Sequence, residues 1–140
     1  MGLRSAFLLL STSFVLASAC SFFAEERKVI APPDLDDTLI ADTTYRDLGT
    51  VAQGDEVRTS FSLTNVGQSN IRISLAKADC GCVSLQYDTT NIAPSEQTIV
   101  SVAFDTRGFE RGRHYQVISV ETDKEQVIKL CISAKVEIPK

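Results

Sequence analysis

The chain has 140 residues, with 14 Lys plus Arg against 18 Asp plus Glu and a single His, for a net charge of -4. An acidic balance, with no run of Lys or Arg interleaved with aromatics, excludes a binder of phosphate backbones, so no nucleic-acid partner is expected. One histidine also leaves little material for base-assisted nucleophilic chemistry.

The chain opens "MGLRSAFLLLSTSFVLASAC", with Arg4 ahead of an uncharged run from Ala6 to Leu16 and the small residues Ala17, Ser18 and Ala19 before Cys20. That run is too short to cross about 30 Å of hydrocarbon, which takes about 20 residues. Residues 1–19 therefore read as a secretory signal peptide. The junction resembles a bacterial lipobox, in which the cysteine is acylated and becomes the mature N-terminus. Ala17 stands where that motif usually has Leu, and a plain Ala-x-Ala cleavage is the competing reading. The resemblance makes Cys20 the expected lipidation (palmitate) site and the protein a membrane lipoprotein of the cell envelope, facing the periplasm or exterior. Ser21 in place of Asp fits an outer-membrane destination.

Residues 20–40 include "SFFAEERKVIAPPDLDDT", charged and proline-bearing without hydrophobic periodicity. They read as a tether from the anchor, and Asp34, Asp36 and Asp37 there lack the glycine spacing of a calcium loop. Cleavage before Cys20 would remove only Arg4 among charged residues, leaving 13 Lys plus Arg against 18 acids, a net of -5.

From residue 41 to 140 the signal is alternation, the period of a strand with one buried face. "VRTSFSLTN" puts Val57, Phe61 and Leu63 on one face, and "NIRISLA" does the same with Ile71, Ile73 and Leu75. "IVSVAFDT" aligns Val100, Val102 and Phe104; "YQVISVET" offers Ile118 and Val120; "VIKLCISAKVEI" turns Ile128, Leu130, Ile132, Ala134 and Val136 inward. Turn signals separate these runs at Gly49, Gly54, "NVGQSN", "NIAPSEQ", "RGFERG" and "TDKE". About seven short strands with such stripes predict an all-β fold, an immunoglobulin-like antiparallel β-sandwich, with a closed barrel as the alternative.

As a set, "DLGTVAQGDEVRTSFSLTNVGQSNIRI", "ADCGCVSL", "IAPSEQTIVSVAFDTRGFERG" and "VIKLCISAKV" resemble the bacterial domain of unknown function numbered 1573, from about Tyr45 to Val136. Its most specific pieces are Leu-Thr-Asn-Val-Gly at 63–67 and Cys-Gly-Cys at 80–82. The resemblance implies a small Ig-like fold on an exported protein and no assigned activity. Leu48-Gly49, Val83 and Pro94-Ser95 stand where members commonly have Phe-Gly, Thr and Pro-Gly. The last change removes the residue most tolerant of positive φ, so that turn is expected to differ in type.

Cys80 and Cys82 admit four readings. With Cys20 acylated, three thiols remain, an odd number. An adjacent Cys80–Cys82 disulfide needs the backbone to bend at Gly81, because an extended chain holds those Cα atoms about 7 Å apart. A bridge to Cys131 would remove a thiol that alternation places outward, on the face of Lys129, Ser133 and Lys135. A metal reading favours a soft ion such as Cu(I) on Cys80 and Cys82, with thin histidine support because His114 stands alone. The fourth reading is two small semi-buried side chains at a strand entry.

No G-x-S-x-G elbow, paired-carboxylate site or phosphate cradle is present, and no catalytic residue or cofactor is expected. The remaining chemistry is that of surfaces: "TRGFERGRHY" clusters Phe109, Arg111, Arg113 and Tyr115 near one hairpin, residue types enriched at binding hot spots. A non-catalytic binding or scaffold module for an unidentified envelope protein is the expected function. A thiol-redox or Cu(I)-handling periplasmic role centred on Cys80 and Cys82 is the alternative.

Overall fold

The computed structural model describes residues 38–139. The signal peptide, Cys20 and the tether aspartates lie outside them. Eight strands form: β1 (Leu39–Ala41), β2 (Tyr45–Ala52), β3 (Glu56–Asn65), β4 (Ile73–Ala78), β5 (Val83–Gln86), β6 (Gln97–Asp105), β7 (Gly112–Thr122) and β8 (Val127–Glu137). They build two four-stranded sheets, ordered β1-β3-β6-β5 and β2-β8-β7-β4. Every pair is antiparallel except β2–β8, which runs parallel because the chain leaves the first sheet after β1 and continues along the far edge of the second.

The alternating stripes meet between the sheets. Phe61, Leu63, Val100, Val102 and Phe104 from the first sheet face Ile73, Ile118, Val120, Leu130, Ile132 and Ala134 from the second, all essentially without solvent contact. Burying a side chain of this size contributes about 1.5–3 kcal/mol, so the seam dominates the stability of the domain. One expected core position is corrected. Leu75 is 41% exposed, because a register shift between Ile73 and Leu75 inserts a residue and turns Ala76 and Ala78 to the core instead. A second irregularity lies in β2 between Asp47 and Thr50, where Gly49 takes φ +75 and its N–H donates to Asp47 Oδ1 at 2.9 Å.

Between sheets the chain is held by polar side chains. At the exit of β3, Asn65 is fully buried. Its Nδ2 donates to the carbonyls of Ser69 and Ile92, each at 2.8 Å, and its Oδ1 accepts from Gly67 N–H at 2.9 Å. The Leu-Thr-Asn-Val-Gly motif is thus a crossing staple that binds two loops. At the β2–β3 turn the buried Thr106 hydroxyl lies 2.9 Å from Ala52 O and 2.8 Å from Asp55 O, and accepts from Gly54 N–H at 3.0 Å. Gln126 ties the sheets at the entry of the chain, its amide donating to Leu39 O and accepting from Leu39 N–H, both at 2.9 Å.

The Pro94-Ser95 turn keeps the geometry that a glycine would favour. Glu96 N–H donates to Ala93 O at 3.0 Å, and Ser95 sits at φ +68. A side chain in this left-handed region costs about 1–2 kcal/mol. Ser95→Gly is therefore expected to stabilise the domain by about 1 kcal/mol, and Asn65→Ala to destabilise it by about 3 kcal/mol through three orphaned partners. Urea unfolding of the two variants measures both.

Candidate functional site

The sequence grouped Phe109, Arg111, Arg113 and Tyr115; the fold separates them. Phe109 lies on the crossing from β6 to β7 and is half-buried, edge-on to Phe104 at 5.2 Å and to His114 at 4.9 Å. His114 Nε2 donates to Glu110 O at 2.8 Å, which closes that loop over the end of the core. Arg111 is exposed at the rim of a shallow 570 Å³ recess that it shares with Val51, Glu137 and Ile138. Arg113 and Tyr115, two and four residues further on, belong to the outer face of the second sheet.

On that face, strand pairing gathers residues from distant parts of the chain. Tyr115 stands opposite Ser133 and Val117 opposite Cys131, while β2 brings Tyr45 alongside Cys131 and Asp47 alongside Ser133. Ser133 is only 1% exposed although it points outward. It is covered by Tyr45, whose hydroxyl lies 2.6 Å from Ser133 Oγ, and by Arg113, whose Nη1 donates to it at 3.1 Å and pairs with Asp47 Oδ2 at 2.9 Å. Tyr45 and Tyr115 remain 46% and 59% exposed, so two aromatic rings stand free on a platform that fixes one of them. Lys129 bonded to Ser119, Lys77 paired with Glu121 and Lys135 paired with Glu137 make a polar rim. Tyr and Arg are the residue types enriched at protein interfaces.

Asp47 is the electrostatic hinge of the platform. The Gly49 N–H and then the Arg113 guanidinium hold its carboxyl below the ordinary value of 3.8. Tyr45 and Asp47 were not singled out by alternation alone; "TYRDLGT" gives them one face, but the parallel pairing that sets them beside Ser133 has no local signal.

Cys80 and Cys82 form a disulfide with their Cα atoms 5.1 Å apart, on the crossing from β4 to β5. Both sulfurs are consumed in that bond, so in this form neither is a thiolate ligand for a metal, and Cys131 is a free thiol and not their partner. Cys131 is half-buried on the outer face, and burial pushes its thiol pKa up. Around the disulfide, Asp79 N–H bonds Val117 O at 3.1 Å, Val83 N–H bonds Cys80 O at 3.2 Å, and Asp105 N–H bonds Cys82 O at 2.9 Å. A bridge across so short a loop constrains the unfolded chain by about 1.6 kcal/mol in the chain-entropy treatment, against about 3 for a 15-residue loop.

Residues 39–136 match the profile of the family described as protein of unknown function (DUF1573). The chain belongs to that family. No curated protein matches it. Among solved structures, this DUF1573 domain is similar to a protein of unknown function from Porphyromonas gingivalis W83, at TM-score 0.63 and 18% identity over 75% of this chain and 50% of that one. It is also similar to the ASH/PapD-like domain 7 of human CEP192, at TM-score 0.60 and 17% identity over 78% of this chain and 90% of that one. The periplasmic chaperone SfaE matches at TM-score 0.54 and 9% identity, covering 73% of this chain and 61% of that one. These likenesses establish a PapD-like, Ig-like fold. The DUF1573 chain spans half the length of the P. gingivalis protein.

Phe109→Ala is expected to lower stability by about 2 kcal/mol, since it strips a half-buried ring from Phe104, whereas Arg111→Ala stays within about 0.5 kcal/mol. Thermal melts of the two variants separate a core plug from a surface charge. The stabilisation owed to the Asp47 carboxylate is present above its ordinary value of 3.8 and is lost as pH falls through its depressed native value. NMR titration of the Asp47 carboxyl carbon is expected to show a midpoint below that ordinary value, moving upward in Arg113→Met.

Proposed function

We propose that this DUF1573 protein is an exported, lipid-anchored module of the cell envelope that acts without catalysis, binding an envelope protein through the outer face of its second sheet. The observation that carries the reading is the exposed pair Tyr45 and Tyr115 flanking the Ser133–Arg113–Asp47 platform. An aromatic ring fixed from beneath, as Tyr45 is by Ser133, loses little conformational freedom on binding, and such rings are where interface affinity concentrates. The signal-like leader and Cys20 support the exported and anchored part of the reading, and the acyl chains on such a cysteine would hold the module at the membrane.

The fold is compatible with this role because the remaining polar groups at the core serve the crossings between sheets. Asn65, Thr106 and Gln126 spend their hydrogen bonds on backbone partners.

Capture from cross-linked envelopes tests the binding face. The double variant Tyr45→Ala/Tyr115→Ala is expected to retain its melting transition and lose capture by about tenfold or more, while Tyr45→Phe keeps most of it. Unchanged capture by the double variant would reject this face. Palmitate labelling that disappears in Cys20→Ser tests the anchor.

A further inference from the structure

We propose that Cys80–Cys82 is an exchangeable couple that trades two electrons with an exported dithiol protein, Cys80, which does not pack on the core, being the attacking cysteine and Cys82 the resolving one. This goes beyond the binding role of the tyrosine face and stands on the crossing from β4 to β5.

Three observations carry it. First, the bond is a weak staple: it closes a loop with a sequence separation of only 2, the least constraining kind, on a turn that backbone hydrogen bonds from Asp79, Val83 and Asp105 already define. None of those backbone bonds involves a cysteine sulfur. Second, the turn is open to approach from one side. Gly81 at its apex is exposed, with nothing within 4 Å of where a Cβ would stand, and Cys82 packs against the core while Cys80 does not. Third, Cys82 N–H donates to Cys80 Sγ at 3.0 Å. That donor would stabilise a thiolate on Cys80 whenever the bond is open, and a hydrogen-bonded thiolate is the reactive form in exchange.

The chemistry balances with a dithiol protein as reductant. Its first thiolate attacks Cys80 Sγ, forming a mixed disulfide as the Cys80–Cys82 bond breaks, and the bonding pair leaves on Cys82 Sγ, which takes up a proton. The partner's second thiolate then attacks its own sulfur in the mixed disulfide, and Cys80 departs as a thiolate held by Cys82 N–H before it too takes up a proton. The partner ends oxidised by two electrons, and the pair on this chain ends as two thiols. In the reverse direction Cys80 attacks the partner's disulfide and Cys82 resolves the adduct. Cys131 takes no part, being half-buried on the outer face of the other sheet strand β8.

The test uses the mature chain and thioredoxin as the dithiol probe. Stoichiometric reduced thioredoxin, followed by quenching with an alkylating agent, is expected to label Cys80 and Cys82 within minutes under native conditions, with the melting temperature of the reduced protein within about 5 °C of the oxidised one. A thioredoxin whose resolving cysteine is replaced by serine is expected to be trapped as a covalent adduct on Cys80, equally in a Cys131→Ser background. Reduction that occurs only in denaturant, or a melting temperature that falls by more than about 10 °C on reduction, makes the bond a structural staple and overturns the proposal. An adduct carried on Cys82 or Cys131 overturns the assignment of roles.

Discussion

Everything in this molecule depends on one dry seam. Each sheet has a single apolar face, and stacking those faces removes Phe61, Phe104, Ile118, Leu130 and Ile132 from water together. That constraint dictates the rest. A chain that must pass back and forth between two layers has to turn at the ends, and at each turn main-chain groups leave their ladders and need other partners. Asn65, Thr106 and Gln126 supply those partners by side-chain hydrogen bonds, and Phe109 caps the β6–β7 crossing by packing on Phe104. The seam is generic; the crossings are particular to this sequence.

How much of this could be read from the residues follows the same division. The inward stripes of β3, β6, β7 and β8 were legible because a period of two is a local property, and all of Phe61, Val102, Ile118 and Leu130 are buried as alternation required. Leu75 departs from alternation for the same reason: alternation counts residues, and a register shift adds one without leaving a mark in "NIRISLA". At Ser95 the expectation of an altered turn gave way because the surrounding bonds, Ser95 N–H to Asn65 O and Asn65 N–H to Glu96 O, outweigh the cost of a positive φ. The described residues form eight strands where about seven were expected, the first strand being a three-residue edge, Leu39–Ala41, too short to have a period.

The surface was the least legible part. A cluster along the sequence, Phe109 to Tyr115, is not a cluster in space, because the loop before β7 folds Phe109 onto the core while Arg113 and Tyr115 lie on the outer face of the strand. The patch that does form joins β2, β7 and β8, and needs the parallel β2–β8 pairing to exist at all. Tyr45 and the Arg113–Asp47 pair are tied to Ser133, which stands opposite Tyr115 in the β7–β8 ladder and has no distinguishing signal in "LCISAK". The cysteine crossing, by contrast, was visible as a motif while its chemistry was open. Geometry places the disulfide where it contributes little to holding the turn.

The claim that matters most is that the outer face of the second sheet, and not that of the first, meets a partner. Photo-cross-linking in intact envelopes addresses it directly, with a benzophenone amino acid placed at Val117, in the middle of the tyrosine face, or at Ser101, on the outer face of β6. Discrete adducts from position 117 and none from position 101 are the result this account predicts. Adducts from position 101 alone, or the same diffuse labelling from both, would contradict it.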